Sequence, residues 1–167
     1  VRDDNDDSPV THLVMPHRER LRLNTESNLR EYAQKTAANN TNADSEFLFI
    51  PAPEHSSEAN VPQDMWVWPG LRLIGAGGRY THKGCFYVVE SVGEQVTLVD
   101  ARGAELELSP EQVGQHLRLS YAITYASCQG LTLRGRVRLH TRSPHFTARH
   151  LYVGSSRATS ADLLEVL

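Results

Sequence analysis

Two stretches decide the reading of this 167-residue chain: Ala122-Ile-Thr-Tyr-Ala-Ser-Cys-Gln-Gly-Leu-Thr132 and Leu151-Tyr-Val-Gly-Ser-Ser-Arg-Ala-Thr159. Upstream of the first, Leu117, Leu119 and Tyr121 alternate with Arg118 and Ser120, which predicts one strand over 117–123. A strand that ends in Thr124 and a Gly-containing turn puts polar side chains at a sheet's carboxyl edge, where open α/β sheets bind ligands. Val137 to Leu139 reads as a short strand between the two stretches, and Leu163 to Leu167 as strand-like after them. The charge pattern singles out the same region. Between Gln112 and Ala161 there are seven arginines and no Asp or Glu, whereas residues 1–111 carry eighteen acids and ten Lys or Arg. Such asymmetry fits an anionic partner, and equally an Arg-rich solvated face balanced by acids elsewhere.

The two stretches resemble motifs V and VI of superfamily 1 helicases. Ala122, Ile123, Thr124, Gln129, Gly130 and Thr132 match the first motif, and Tyr152, Val153, Gly154, Ser156, Arg157 and Ala158 match the second. The usual His of motif V is Ala126 here. The segment from Leu13 to Asn24 more loosely resembles motif IV. The fold implied is α/β: the RecA-like, P-loop NTPase type C-terminal domain of a RecD-like helicase, with a small all-β barrel inserted.

By the same resemblance, Arg157 is the catalytic residue. Phosphoryl transfer spreads negative charge over the γ-phosphate oxygens, and an arginine placed there stabilises it. The small neighbours Gly154, Ser155, Ser156 and Ala158 leave room for close approach. Gln129, Gly130 and Arg18 join Arg157 as implied nucleotide-binding residues. Thr124 is the implied nucleic-acid contact, since a hydroxyl can donate to a backbone phosphate without reading sequence. In the barrel, Arg79, Tyr80 and Lys83 (with His82 beside them) pair positive charge with a ring that can stack on a base. An ordinary structural role stands beside each of these.

The rest of the chain frames these residues. Residues 1–10 form an acidic, apolar-poor segment expected to be a flexible tail. Thr11 to Met15 predicts a buried strand, and 18–37 a helix with Leu21, Leu29 and Tyr32 on one face. Asn39 to Ala43 is turn-prone, Phe47 to Ile50 a short strand, and 51–62 a loop. Four short β-prone runs (71–74, 86–90, 96–99 and 105–108) are separated by turns, and a small barrel is the natural way to close them. Trp66 and Trp68 read as packing residues at its edge. Ser109 as N-cap with Pro110 next predicts a short helix. The expected domains are 11–63 with 116–167 for the discontinuous motor domain, and 64–115 for the barrel.

Cys85 and Cys128 fall in no ligand spacing, so neither a disulfide framework nor a structural metal is expected, and an intracellular, reducing compartment fits. No apolar run approaches a membrane span. The sequence has no G-x-x-x-x-G-K-[ST] phosphate loop and no initiating Met, which suggests a piece of a longer protein. The resemblance then implies one half of an ATP-dependent helicase. ATP and Mg2+ serve the complete enzyme, none is bound by this chain alone, and the partners are single-stranded DNA or RNA and a missing N-terminal RecA-like domain. Unwinding in the 5′ to 3′ direction follows only by analogy. Two other readings stay open: a non-catalytic nucleic-acid-binding module derived from a helicase half, and a protein-interaction barrel.

Overall fold

The computed structural model describes residues 9–38, 46–56 and 60–167. The first eight residues of the expected 1–10 tail, the turn-prone run 39–43 and part of the 51–62 loop lie outside the described residues, and Val10, placed in that tail, belongs to a strand. The elements in chain order are β1 (Val10–Val14), α1 (His17–Ala38), β2 (Leu48–Ile50), β3 (Met65–Val67), β4 (Arg72–Gly75), β5 (Phe86–Val92), β6 (Val96–Asp100), β7 (Glu105–Leu108), α2 (Pro110–His116), β8 (Leu117–Leu119), β9 (Ala122–Thr124), β10 (Arg136–Leu139), α3 (Ala148–Ser155) and β11 (Leu164–Val166). They group into two compact units, Val1–Leu21 with Tyr121–Leu167, and Arg22–Ser120. The division falls within α1.

The first unit is built on a parallel sheet in the order β11-β10-β1-β9. Leu13, Ile123, Val137 and Leu139 are buried in it. The helix α3 lies close against that layer because it carries a glycine where it meets the sheet. A Cβ on Gly154 would sit 2.7 Å from Leu139 Cδ2, 2.9 Å from Tyr125 Cε1 and 3.3 Å from Leu13 Cδ1. The motif's small residue thus has a packing cause inside this chain. Alanine there gains about 1 kcal/mol of helix propensity, which offsets part of its crowding. Valine gains much less and adds two methyl groups to the same crowded spot, so Gly154→Val should cost about 1–3 kcal/mol of overpacking. A urea midpoint unchanged by that substitution would show that α3 does not pack this closely.

The second unit holds a five-stranded antiparallel sheet in the order β7-β6-β5-β4-β8, so the last strand pairs with the first of the meander. This is the connectivity that a small barrel needs. The short helix α2 leads from β7 into β8. Its start is as the sequence predicts: Ser109 Oγ accepts the Gln112 N–H at 3.2 Å, Gln112 Oε1 accepts the Ser109 N–H at 2.9 Å, and Pro110 opens the helix. β2 and β3 form a separate antiparallel pair. Trp66 of β3 stacks on Tyr32 of α1 at 4.1 Å between ring centroids, and Trp68 is buried, so both tryptophans pack.

Three expectations need correction. The single strand over 117–123 is two strands in two sheets: β8 pairs antiparallel with β4, and β9 pairs parallel with β1. Ser120 and Tyr121 make the break, which a run of alternating residues conceals. Arg118 and Ser120, the polar half of that alternation, do not face solvent; both are 2% exposed. The proposed apolar face of α1 also fails, because Leu29 is 50% exposed. Its buried positions are Arg20, Asn24 and Asn28, one helical stripe at i, i+4 and i+8. The Asn28 amide donates to Trp66 O at 2.9 Å and accepts the Trp66 N–H at 2.8 Å, and Asn24 Nδ2 donates to Leu119 O at 3.3 Å. The helix is therefore anchored by side-chain amides pairing with strand backbone.

Candidate functional site

In the first unit, the turn after β9 and the end of α3 are joined by backbone. The Leu133 N–H donates to Arg157 O at 2.8 Å, and Leu133 and Ala158 form a parallel bridge. The two sequence motifs thereby become neighbours in space. The turn itself closes in helical fashion, with Ser127 and Cys128 N–H donating to Thr124 O at 3.0 and 3.1 Å. Gly130 follows with φ of +80° and no atom within 4 Å of an added Cβ, so glycine is required there by backbone conformation and not by space.

Arg157 is half-buried, and neutral acceptors hold its guanidinium. Nη2 donates to Ser156 Oγ at 2.9 Å, Nε to Ser156 Oγ and Val153 O at 3.3 Å each, and Nη1 to Leu131 O at 3.4 Å. Among the described residues no carboxylate lies within ion-pair distance of it. The charge is positioned but not neutralised, an arrangement suited to an anionic ligand. Cys128 registers that charge. Burial pushes its thiol up to about 11, and the nearby Arg157 pulls the other way. Cys128 itself is fully buried, with Sγ donating to Tyr125 O at 3.1 Å. Burial likewise pushes the Tyr125 phenol well above its usual range.

The structure brings Arg157 against Leu131, directly after Gln129 and Gly130, both of which are exposed. Thr124 is 3% exposed, and its hydroxyl lies 2.9 Å from Ser127 Oγ while accepting the Ser127 N–H at 3.2 Å. It is engaged inside the turn. Arg18 is exposed on the first turn of α1 and makes no hydrogen bond or ion pair to the Arg157 cluster. Sequence reasoning missed Ser156 Oγ and Leu131 O as the groups that aim Arg157. A serine beside an arginine gives little signal, and a carbonyl gives none.

Arg79, Tyr80 and Lys83 belong to the second unit, on the β4–β5 connection, and all three are exposed. That connection is fastened from within. Thr81 Oγ1 reaches Gly77 O and His116 O, each at 2.9 Å, and Tyr87 Oη accepts the His82 N–H at 3.0 Å. A Cβ on Gly75 would collide with His82 O, so only glycine lets the two ends close. The Arg79 guanidinium sits 5.8 Å from the Tyr80 ring centroid, and that ring meets His116 edge-on.

The arginine-rich block is not one surface. Arg118 is buried in the second unit, and Arg138 pairs with Glu165 at 2.7 Å. Arg134 precedes β10 and Arg142 follows it, at opposite ends of one strand. No group of three or more His, Cys, Asp or Glu among the described residues is placed to hold a metal ion. No helix there is long and apolar enough to cross a membrane.

No family model matches this chain, and no curated protein sequence does. Solved structures do match. A Pif1 helicase structure concerned with DNA unwinding at forked double-stranded DNA superposes with a TM-score of 0.60 at 18% identity, over 98% of this chain and 40% of its own. Pif1 from Candida albicans gives 0.59 at 15% identity, over 100% and 47%. Bacteroides Pif1 bound to single-stranded DNA gives 0.53 at 14%, over 99% and 42%. The chain has the fold of a helicase RecA-like domain. It spans less than half the length of these helicases.

Proposed function

We propose that this chain is the second motor domain of an ATP-dependent superfamily 1 DNA helicase of RecD-like type. It would couple ATP hydrolysis to movement along single-stranded DNA and to duplex unwinding. The observation that carries this reading is the Arg157 guanidinium, fixed by neutral acceptors beside the Gln129–Gly130 turn and left, among the described residues, without a carboxylate partner. A triphosphate bound by a first motor domain would present its γ-phosphate to that charge. Arg157 then stabilises the negative charge that develops in the transition state. Gln129 bonds nucleotide or backbone, Gly130 permits the turn, and Arg18 supplies a further cation to phosphate. The motor domain comprises 11–63 and 116–167 and the barrel 64–115, with β8 just past that boundary completing the barrel's sheet. Thr124 borders the nucleic-acid path, and Arg79, Tyr80 and Lys83 contact the strand from the barrel. Mg2+ would accompany the triphosphate, and no step is assigned to it on this chain.

The β- and γ-phosphates need a loop of backbone N–H groups and a Lys, and this sequence has no such loop. The isolated chain is therefore expected to hydrolyse no ATP, with or without single-stranded DNA. Robust turnover by the isolated chain that Arg157→Ala abolishes would sink the two-domain reading. A non-catalytic nucleic-acid-binding module is the second reading. It is favoured by the engaged Thr124 hydroxyl and by Ala126 at the usual His position. A complete parent protein that binds single-stranded DNA without hydrolysing ATP would select it.

A further inference from the structure

We propose that Arg142, His145, Arg149 and Tyr152 form a binding face for single-stranded nucleic acid on the first unit, separate from the Arg157 cluster. This rests on the nucleic-acid part of the function proposed above and extends it to residues that neither helicase-like motif assigns to DNA.

These side chains come from one continuous segment, the connection after β10 and the exposed side of α3. Arg142, His145 and Arg149 are all exposed, and Tyr152 is 76% exposed, an unusual placement for an aromatic side chain. Arg149 and Tyr152 are three apart on α3, so they share a helix face. Neither arginine has a carboxylate within ion-pair distance among the described residues. The sequence supplies none locally either, since 112–161 holds no acid.

The segment is also held in place. Thr141 donates to Leu167 O through its N–H at 3.0 Å and its hydroxyl at 2.7 Å. The Phe146 N–H donates to Ser143 O at 3.0 Å. The Phe146 ring packs on Tyr125 at 5.5 Å and on His150 at 5.8 Å. His150 Nδ1 accepts the Thr147 N–H at 3.1 Å. Phe146 and His150 thus spend their rings on the fold, while Tyr152 keeps its ring outward. Unpaired cations alone would suit any polyanion. An outward ring on the same face as Arg149 favours a ligand that offers both phosphates and flat bases, which is a single-stranded nucleic acid.

The test is fluorescence anisotropy of a labelled oligothymidylate with the isolated chain, without nucleotide, at several salt concentrations. Each single-strand phosphate contact contributes about −0.7 to the slope of log affinity against log salt. Arg142→Ala with Arg149→Ala should flatten that slope by about 1.4, and lysine at both positions should restore it. Tyr152→Ala should weaken binding by about fivefold or more while leaving the slope in place. Thermal melting checks that these surface variants remain folded. An unchanged slope in the double alanine variant overturns the proposal. So does a wild-type chain that ignores the oligonucleotide yet binds poly-glutamate, an outcome that would assign the face to an acidic protein. ATPase of the complete protein separates this inference from the motor reading. A flattened slope with no ATPase keeps the face and sinks the motor, whereas ATPase with an unchanged slope does the reverse.

Discussion

Replacing Arg157 by alanine in the complete protein is expected to lower kcat for ATP hydrolysis by roughly 10³-fold or more, the scale of arginine fingers in GTPases, with little change in KM. The asymmetry follows from when the interaction acts. Charge moves onto the γ-phosphate oxygens as the bond to the leaving group breaks, so a guanidinium aimed there binds the transition state more tightly than the ground state. Losing such an interaction appears in kcat. The structure adds a second argument. Among the described residues the guanidinium holds no carboxylate whose counter-charge its removal would strand, and its hydrogen bonds go to Ser156, Val153 and Leu131 near the surface. The variant should therefore fold and melt almost as the parent does, which separates lost chemistry from lost structure. Arg157→Lys should recover only part of the rate, because an ammonium keeps the charge but not the planar fork. Steady-state ATPase with saturating single-stranded DNA measures this. An unchanged kcat in the alanine variant would make Arg157 a structural residue that ties α3 to the segment after Gly130.

How much of this was legible in the sequence depended on where each side chain spends its bonding groups. Positions whose requirement is local were readable. Ser109 and Pro110 form the helix start that their types predict, and Gly130 turns the backbone at positive φ; Gly154, read as leaving room for a phosphate, makes room instead for α3 to pack on Leu139, Tyr125 and Leu13. The strand–helix–strand order and the antiparallel meander were readable from periodicity and turns. Positions whose requirement is tertiary were not. Asn24 and Asn28 look like the solvent side of a helix, and periodicity therefore pointed to Leu29. Their amides instead pair with strand backbone that lies 95 and 38 residues further along the chain, respectively. The arginine block looked like a single cationic surface, yet one member is buried and another is ion-paired. The sequence could nominate Arg157, but only folding shows that Ser156 Oγ and the Leu131 carbonyl aim it.

Arg118 is the clearest case of a tertiary requirement, and its replacement should produce a large stability loss. The side chain is 2% exposed. Nε donates to Asn60 O at 3.0 Å, Nη2 to Asn60 O at 2.9 Å and to Ser56 Oγ at 3.2 Å. Nη1 donates to Gly114 O, Gln115 O and Leu117 O at 3.0, 2.9 and 2.8 Å. The guanidinium thus caps the carbonyl end of α2, where the helix dipole is negative, and fastens the chain near Asn60 to the α2–β8 corner. Two effects oppose each other in Arg118→Met. Removing the cation relieves a burial cost of several kcal/mol. It also leaves carbonyls at Asn60, Gly114 and Gln115 short of a donor inside a closed site, at about 1–3 kcal/mol for each group left unsatisfied. The second effect should win, because the acceptors remain in place and methionine fills the volume that water would need to reach them. A net loss of about 3 kcal/mol or more is expected, in the range seen when one partner of a buried charged pair is deleted. Arg118→Lys should fall between, since three donors from one point cannot span acceptors that the fork reaches from two sides. Urea unfolding of the three proteins, compared at equal slope, gives the difference. A methionine variant within about 1 kcal/mol of the parent would mean that these carbonyls find other donors, and that the arginine's network adds little to stability.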